Sequence, residues 1–93
     1  MAIATVSKFQ KVDAERVAQS VRAIGEKLDG AGEQTILDFS SVRRMDAKAL
    51  TAMEELARTA DEKTVKIGLR GVNVEIYKVL KLVKLAPRFV FLS

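Results

Sequence analysis

The side chains with chemical potential gather in one short stretch, SVRRMDAKAL, residues 41–50. Arg43 and Arg44 precede Asp46, and Lys48 follows it where an apolar run gives way to a helical pattern. A carboxylate at a helix mouth has two uses. It accepts hydrogen bonds from the free N–H groups of the first turn, typically worth about 1 kcal/mol, or it shapes a surface that a partner reads. Lys48 opposes the positive helix end by up to roughly 1 kcal/mol unless something negative faces it. It is therefore either a solvated side chain or a contact for an acidic group. Arg43 and Arg44 carry the same two readings, hydration or engagement of phosphate or carboxylate. Ser40, Ser41 and Thr51 add hydroxyls close by.

Covalent and metal chemistry has little to draw on. The chain has no cysteine and no histidine, which removes thiol nucleophiles, imidazole bases, disulfides and most zinc sites. Asp38 and Asp46 are the acids to consider for a Mg²⁺ site, but no third acid is implied and no GxxxxGK[ST] phosphate cradle occurs. A phosphoreceiver needs an acidic pair after its first strand, where this chain has Ser7, Lys8 and Phe9. No catalytic residue, metal or cofactor is expected, and the protein reads as something other than an enzyme.

The elements that must position residues 40–51 follow from periodicity. With 93 residues, 48% apolar and 30% charged, the composition fits one compact domain over 1–93. Ile3 to Lys8 reads as a first strand. Asp13 reads as the N-cap of a helix whose Val17, Val21, Ile24 and Leu28 form one stripe, with DGAGE, residues 29–33, ending it. QTILDFS, residues 34–40, is a buried strand at the centre of the sheet. From Asp46 a second helix runs to about Asp61, with Leu50, Met53, Ala57 and Ala60 inward and Glu54 and Arg58 four apart on the outer face. TVKIGLR, residues 64–70, alternates as a strand with one buried face, the other being wet or covered by another chain. Gly71 and Asn73 mark the turn and cap of a third helix with Ile76, Val79, Leu80 and Val83 inside and Lys78, Lys81 and Lys84 outside. Pro87 stops it, and RFVFL, residues 88–92, is a last strand. The order βαβαβαβ predicts an α/β fold in which a mainly parallel four-stranded sheet packs with three helices, in two or three layers.

These residues resemble a known family. TILDFSSVRRMDAKAL followed by TVKIGLRGVNVEIYKVLKLVKLAPRF is similar to the STAS domain, found in bacterial anti-sigma-factor antagonists and in related domains of transporters. The resemblance spans about Ile3 to Leu92 and is strongest over residues 34–85. It implies a partner-switching module in which Asp46 matches the motif aspartate and the surface around Ser40, Ser41, Arg43, Arg44, Asp46, Ala47, Lys48 and Thr51 binds the partner. In that family the second serine or threonine after the aspartate is phosphorylated by a cognate kinase, which breaks the complex. Here Ala47, Lys48 and Ala49 follow Asp46, so Lys48 stands where the phosphoacceptor would be. An amine neither accepts phosphate at a hydroxyl nor imitates a phosphoserine of charge about −2. GVNVEIYKVLKL also resembles a branch found with lipid-transport ABC systems, although Ala47 replaces the hydroxyl of that branch's motif.

The resemblance implies a protein partner, an anti-sigma-factor kinase or an ABC ATPase, with a homodimer as a way to cover exposed strand edges. A net charge of +4 favours encounter with acidic surfaces. A nucleic-acid reading through Arg43, Arg44, Lys78, Lys81 and Lys84 is the remaining alternative, disfavoured by the scarcity of aromatic side chains for stacking. No stretch reaches the roughly 20 apolar residues a membrane span needs, and cytoplasm is the expected location.

Overall fold

Apolar residues that return every three or four positions need a surface to cover, and residues 34–40 and 64–70 supply it by alternating. The computed structural model describes residues 7–28 and 34–92. In chain order the elements are β1 (Ser7–Lys11), α1 (Val17–Glu26), β2 (Gln34–Asp38), α2 (Ala47–Lys63), β3 (Lys66–Arg70), α3 (Val74–Leu82) and β4 (Val90–Leu92), with a 3₁₀ turn (Ala86–Arg88) before β4. The strands form one sheet in the order β1-β2-β3-β4, parallel throughout. The expected α/β architecture of four parallel strands and three helices is thus the one observed.

Each crossover steps to the next strand in the same direction, and right-handed crossovers then place all helices on one face. Burial agrees with that geometry. Thr35, Leu37, Ile67 and Leu69 lie under the helices, whereas Phe9 and Val90, on the opposite pleat, are 55% and 47% exposed. The domain therefore has two layers. Phe9, Ile36, Gly68 and Val90 share one row across the uncovered face. Arg70 lies over the Phe9 ring at 5.5 Å from its centroid, within cation–π reach.

Between the layers, Val21, Ile24 and Leu28 meet Met53, Leu56, Ala57 and Ala60 in a continuous core that also takes Ile76 and Leu80 of α3. Burying a side chain the size of Leu56 contributes about 1.5–3 kcal/mol. The Arg22 Nε–Glu55 Oε1 pair at 3.4 Å links α1 to α2 on the surface. The expected Glu54–Arg58 pair forms at 3.9 Å with both side chains exposed, a geometry worth a few tenths of a kcal/mol.

Several boundaries differ from expectation. β1 is described from Ser7 to Lys11, so the strand expected from Ile3 to Lys8 overlaps it at Ser7 and Lys8, and its earlier residues lie outside the described ones. DGAGE also lies outside them. Asp13 does not cap α1: the helix starts at Val17 behind Arg16, which makes no side-chain cap. Asp13 Oδ1 accepts instead from the Glu15 N–H at 2.9 Å, forming a turn ahead of the helix. Within α2, Leu50 is only half-buried, and Ala49, Ala52 and Leu56 join Met53, Ala57 and Ala60 inside. The helix runs on to Lys63 and ends on Thr64 at φ 57°. Val83 is 44% exposed, because α3 finishes at Leu82 and the helical phase is lost beyond it. Residues 86–88 form the 3₁₀ turn, so the last strand shortens to Val90–Leu92.

Candidate functional site

The loop between β2 and α2 leaves the carboxyl edge of the sheet, where open α/β folds usually place their sites. Its first residues are anchored. Phe39 donates its N–H to the Arg70 carbonyl at 2.7 Å, Val42 donates to the Phe39 carbonyl at 2.9 Å, and both side chains are buried. Asp38 Oδ1 accepts from the Ser40 N–H at 2.9 Å. Hydrogen bonds from the Ser40 side chain and backbone, helped by Arg70 and Lys11, hold the Asp38 carboxyl below its ordinary range against a small opposing effect of burial.

Two residues after β3 hold the rest of the loop. Gly71 adopts φ +74°, and a Cβ there would lie 2.9 Å from the Ser40 backbone N and Cα; only glycine combines that conformation with so close an approach. Asn73 uses both ends of its amide. Its Oδ1 accepts from the Ile76 N–H at 2.8 Å and so caps α3. Its Nδ2 donates to the Arg43 carbonyl at 2.9 Å and, more weakly, to the Val42 carbonyl at 3.4 Å. Because one end must accept and the other donate, the amide orientation is fixed by its partners.

Asp46 begins α2 in an extended conformation, φ −86° and ψ 179°, with Oδ1 accepting from the Ala49 N–H at 2.8 Å. It is the cap its position predicts. The Leu50 N–H closes the first helical bond on the Asp46 carbonyl at 3.0 Å. Ala47, Lys48 and Thr51 are exposed on the first turn, and the Thr51 hydroxyl donates back to the Ala47 carbonyl at 3.0 Å. Ser40, Ser41, Arg43 and Arg44 are exposed along the loop. Among the described residues, no ion pair engages Arg43, Arg44 or Lys48.

The starts of α1 and α2 stand side by side and enclose an open cleft of about 560 Å³ whose walls include Glu15, Arg16, Arg44, Asp46 and Lys48. Three cations face two carboxylates there, at two positive helix ends. Ser40, Ser41, Arg43, Ala47 and Thr51 lie outside its walls. The residues singled out from sequence are thus each exposed along the loop and the start of α2, and of them Arg44, Asp46 and Lys48 share a concavity. Glu15 and Arg16 were not foreseen as neighbours of that turn, nor Gly71 and Asn73 as supports of the loop. Among the described residues, no group of three or more acidic side chains comes together to hold a metal ion, and no helix is long and apolar enough to cross a membrane.

Comparison with known proteins bears on this architecture directly. The family model for the STAS domain matches residues 3–93. No curated protein sequence matches the chain. Among solved structures, the fold is similar to a sulfate transporter family protein from Wolinella succinogenes, at TM-score 0.76 and 17% identity over 98% of this chain and 80% of that one. It is similar to an anti-sigma-factor antagonist (STAS) domain protein from Planctomyces limnophilus, at TM-score 0.68 and 14% identity over 86% and 68%. It is also similar to the STAS domain of a SulP transporter from Vibrio cholerae, at TM-score 0.67 and 16% identity over 100% and 77%. Identities this low speak to fold, and the family assignment rests on the model that spans nearly the whole sequence. By that match and by its parallel sheet with a capped helix at the carboxyl rim, this chain belongs to the STAS domain family.

Proposed function

We propose that the protein is a non-catalytic interaction module that docks another protein through residues 40–51, acting as an anti-sigma-factor antagonist does in a partner-switching pathway of the bacterial cytoplasm. The observation that carries this reading is the first turn of α2. Asp46 caps the helix through Ala49 and, with Ala47, Lys48, Thr51 and the arginines before them, is exposed on the outward surface. The loop beneath is held by Gly71 and Asn73, which leaves its backbone little conformational entropy to lose on binding.

Control by phosphorylation at the usual position has no chemical basis here. Lys48 carries an ammonium where a hydroxyl is required, so association is constitutive or is governed through the partner. Lys48 sits at the positive end of α2 without an anionic side chain paired to it among the described residues. An acidic group on the partner is the element that completes it. Lys48→Glu is expected to weaken docking by roughly 1 kcal/mol or more where the contact is partly desolvated. Titration calorimetry with the partner recovered by a cross-linker at position 48 tests this; unchanged affinity, or cross-links from an exposed site on the far end of α2 in place of position 48, would remove residues 40–51 from the interface.

A further inference from the structure

A second surface lies on the opposite flank of the site, where α3 meets the β4 edge of the sheet. Tyr77, 41% exposed, meets Phe91 edge-to-face with ring centroids 5.0 Å apart. The two rings form the shared floor of an open trough. One half, of about 260 Å³, is bounded by Val72, Val74 and Leu92; the other, of about 440 Å³, by Ala86, Pro87, Lys81 and Lys84. Among the described residues, no acidic side chain lines either half. Beside the trough runs the outer edge of β4, which pairs with β3 and, among the described residues, with no second strand.

We propose that this flank binds an extended peptide segment by strand addition to β4, the segment carrying a β-branched or aromatic side chain over Tyr77 and Phe91 and an Asp or Glu two residues along it, within reach of Lys81 and Lys84. The unpaired backbone groups of an edge strand need hydrogen-bond partners that a strand supplies and a helix does not. Alternate residues of an added strand point to the same face, so one apolar anchor and one acid two positions away both reach the trough. Charge selects the occupant. Lys81 and Lys84 are the charged side chains along the trough's described lining, and an acidic segment neutralises them. The lysine half lies at the amino ends of the strands, away from the start of α2, and the proposal stands independently of docking through residues 40–51.

The test is selection of a phage-displayed library of random peptides on the immobilised protein, followed by amide-shift mapping with the enriched peptides made synthetically. Both lysines are exposed, so the double variant K81E/K84E keeps the fold and serves as the comparison. Enriched peptides are expected to carry a β-branched or aromatic residue and an acidic residue two positions from it, to move the amides of residues 90–92 with those of Tyr77 and Lys81, and to lose on the order of tenfold in affinity on K81E/K84E. Absence of enrichment, equal affinity for K81E/K84E, shifts confined to residues 40–51, or concentration-dependent dimerisation through β4 would each overturn the proposal.

Discussion

Replacing Asn73 separates two interactions that one side chain makes at once. In Asn73→Ala the cap of α3 is lost, typically about 1 kcal/mol, together with the hydrogen bond to the Arg43 carbonyl, about 1 kcal/mol net. The longer contact to Val42 at 3.4 Å adds little. The sum is about 2 kcal/mol, which for a domain of this size lowers Tm by roughly 8–16 °C. Asn73→Asp keeps an equally good capping oxygen and adds a charge that suits the helix start by a few tenths of a kcal/mol. It also turns a carboxylate oxygen toward the Arg43 carbonyl in place of a donor. The aspartate variant is therefore expected to lose about 1 kcal/mol while its loop is released. Urea unfolding followed by circular dichroism at pH 7 gives the two stabilities, and amide shifts of Arg43 and Arg44 report the loop. Wild-type stability in Asn73→Asp with those amides unmoved would refute the claim that α3 holds the docking loop; equal losses in both variants would refute the separate contribution of the cap.

Gly71→Ala forces a Cβ into the left-handed region and to 2.9 Å from the Ser40 backbone, a cost of about 1–2 kcal/mol for conformation and about 1–3 kcal/mol for overpacking, read from the urea midpoint. Asp46→Ala removes the cap of α2 and is expected to cost about 1 kcal/mol by the same measurement. Because the folded state holds the Asp38 carboxyl below its ordinary value, Asp38 contributes stability that is fully present above the unfolded aspartate value and is lost as pH falls through the lowered folded one. Unfolding curves at stepped pH should show Asp38→Asn flattening this acid limb while leaving the pH dependence near neutrality unchanged.

The elements written locally in the sequence were legible, and those decided at long range were not. Val17, Val21 and Ile24 keep one helical phase with Gln19, Ser20 and Arg22 among the residues between them, and the three apolar side chains are buried. Asp46 announces a helix start by residue type and position, and its Oδ1 makes the expected bond. In α2, however, apolar residues surround more than one face, so periodicity alone admits several rotations. Packing against α1 selects the one that buries Ala49, Ala52 and Leu56 and leaves Leu50 half-covered. Asp13 and Asp46 look alike to a local reading, but Asp13 spends its carboxylate on the Glu15 N–H in a turn. The supports of the loop were hidden for a different reason. Asn73 reaches Arg43 across 30 residues of sequence, and Gly71 is required by the backbone of Ser40, neither of which any short-range pattern encodes. The cleft beside Arg16 exists only because right-handed crossovers set the starts of α1 and α2 next to each other.

The central claim is that the first turn of α2 binds a partner without a phosphorylation switch, because Lys48 replaces the hydroxyl. Incubating the purified complex with its partner and ATP, then reading residues 46–51 by mass spectrometry alongside complex mass, tests it most directly. The account predicts an unmodified segment and an intact complex. Phosphate on that segment, at Thr51 for example, with dissolution of the complex would contradict it.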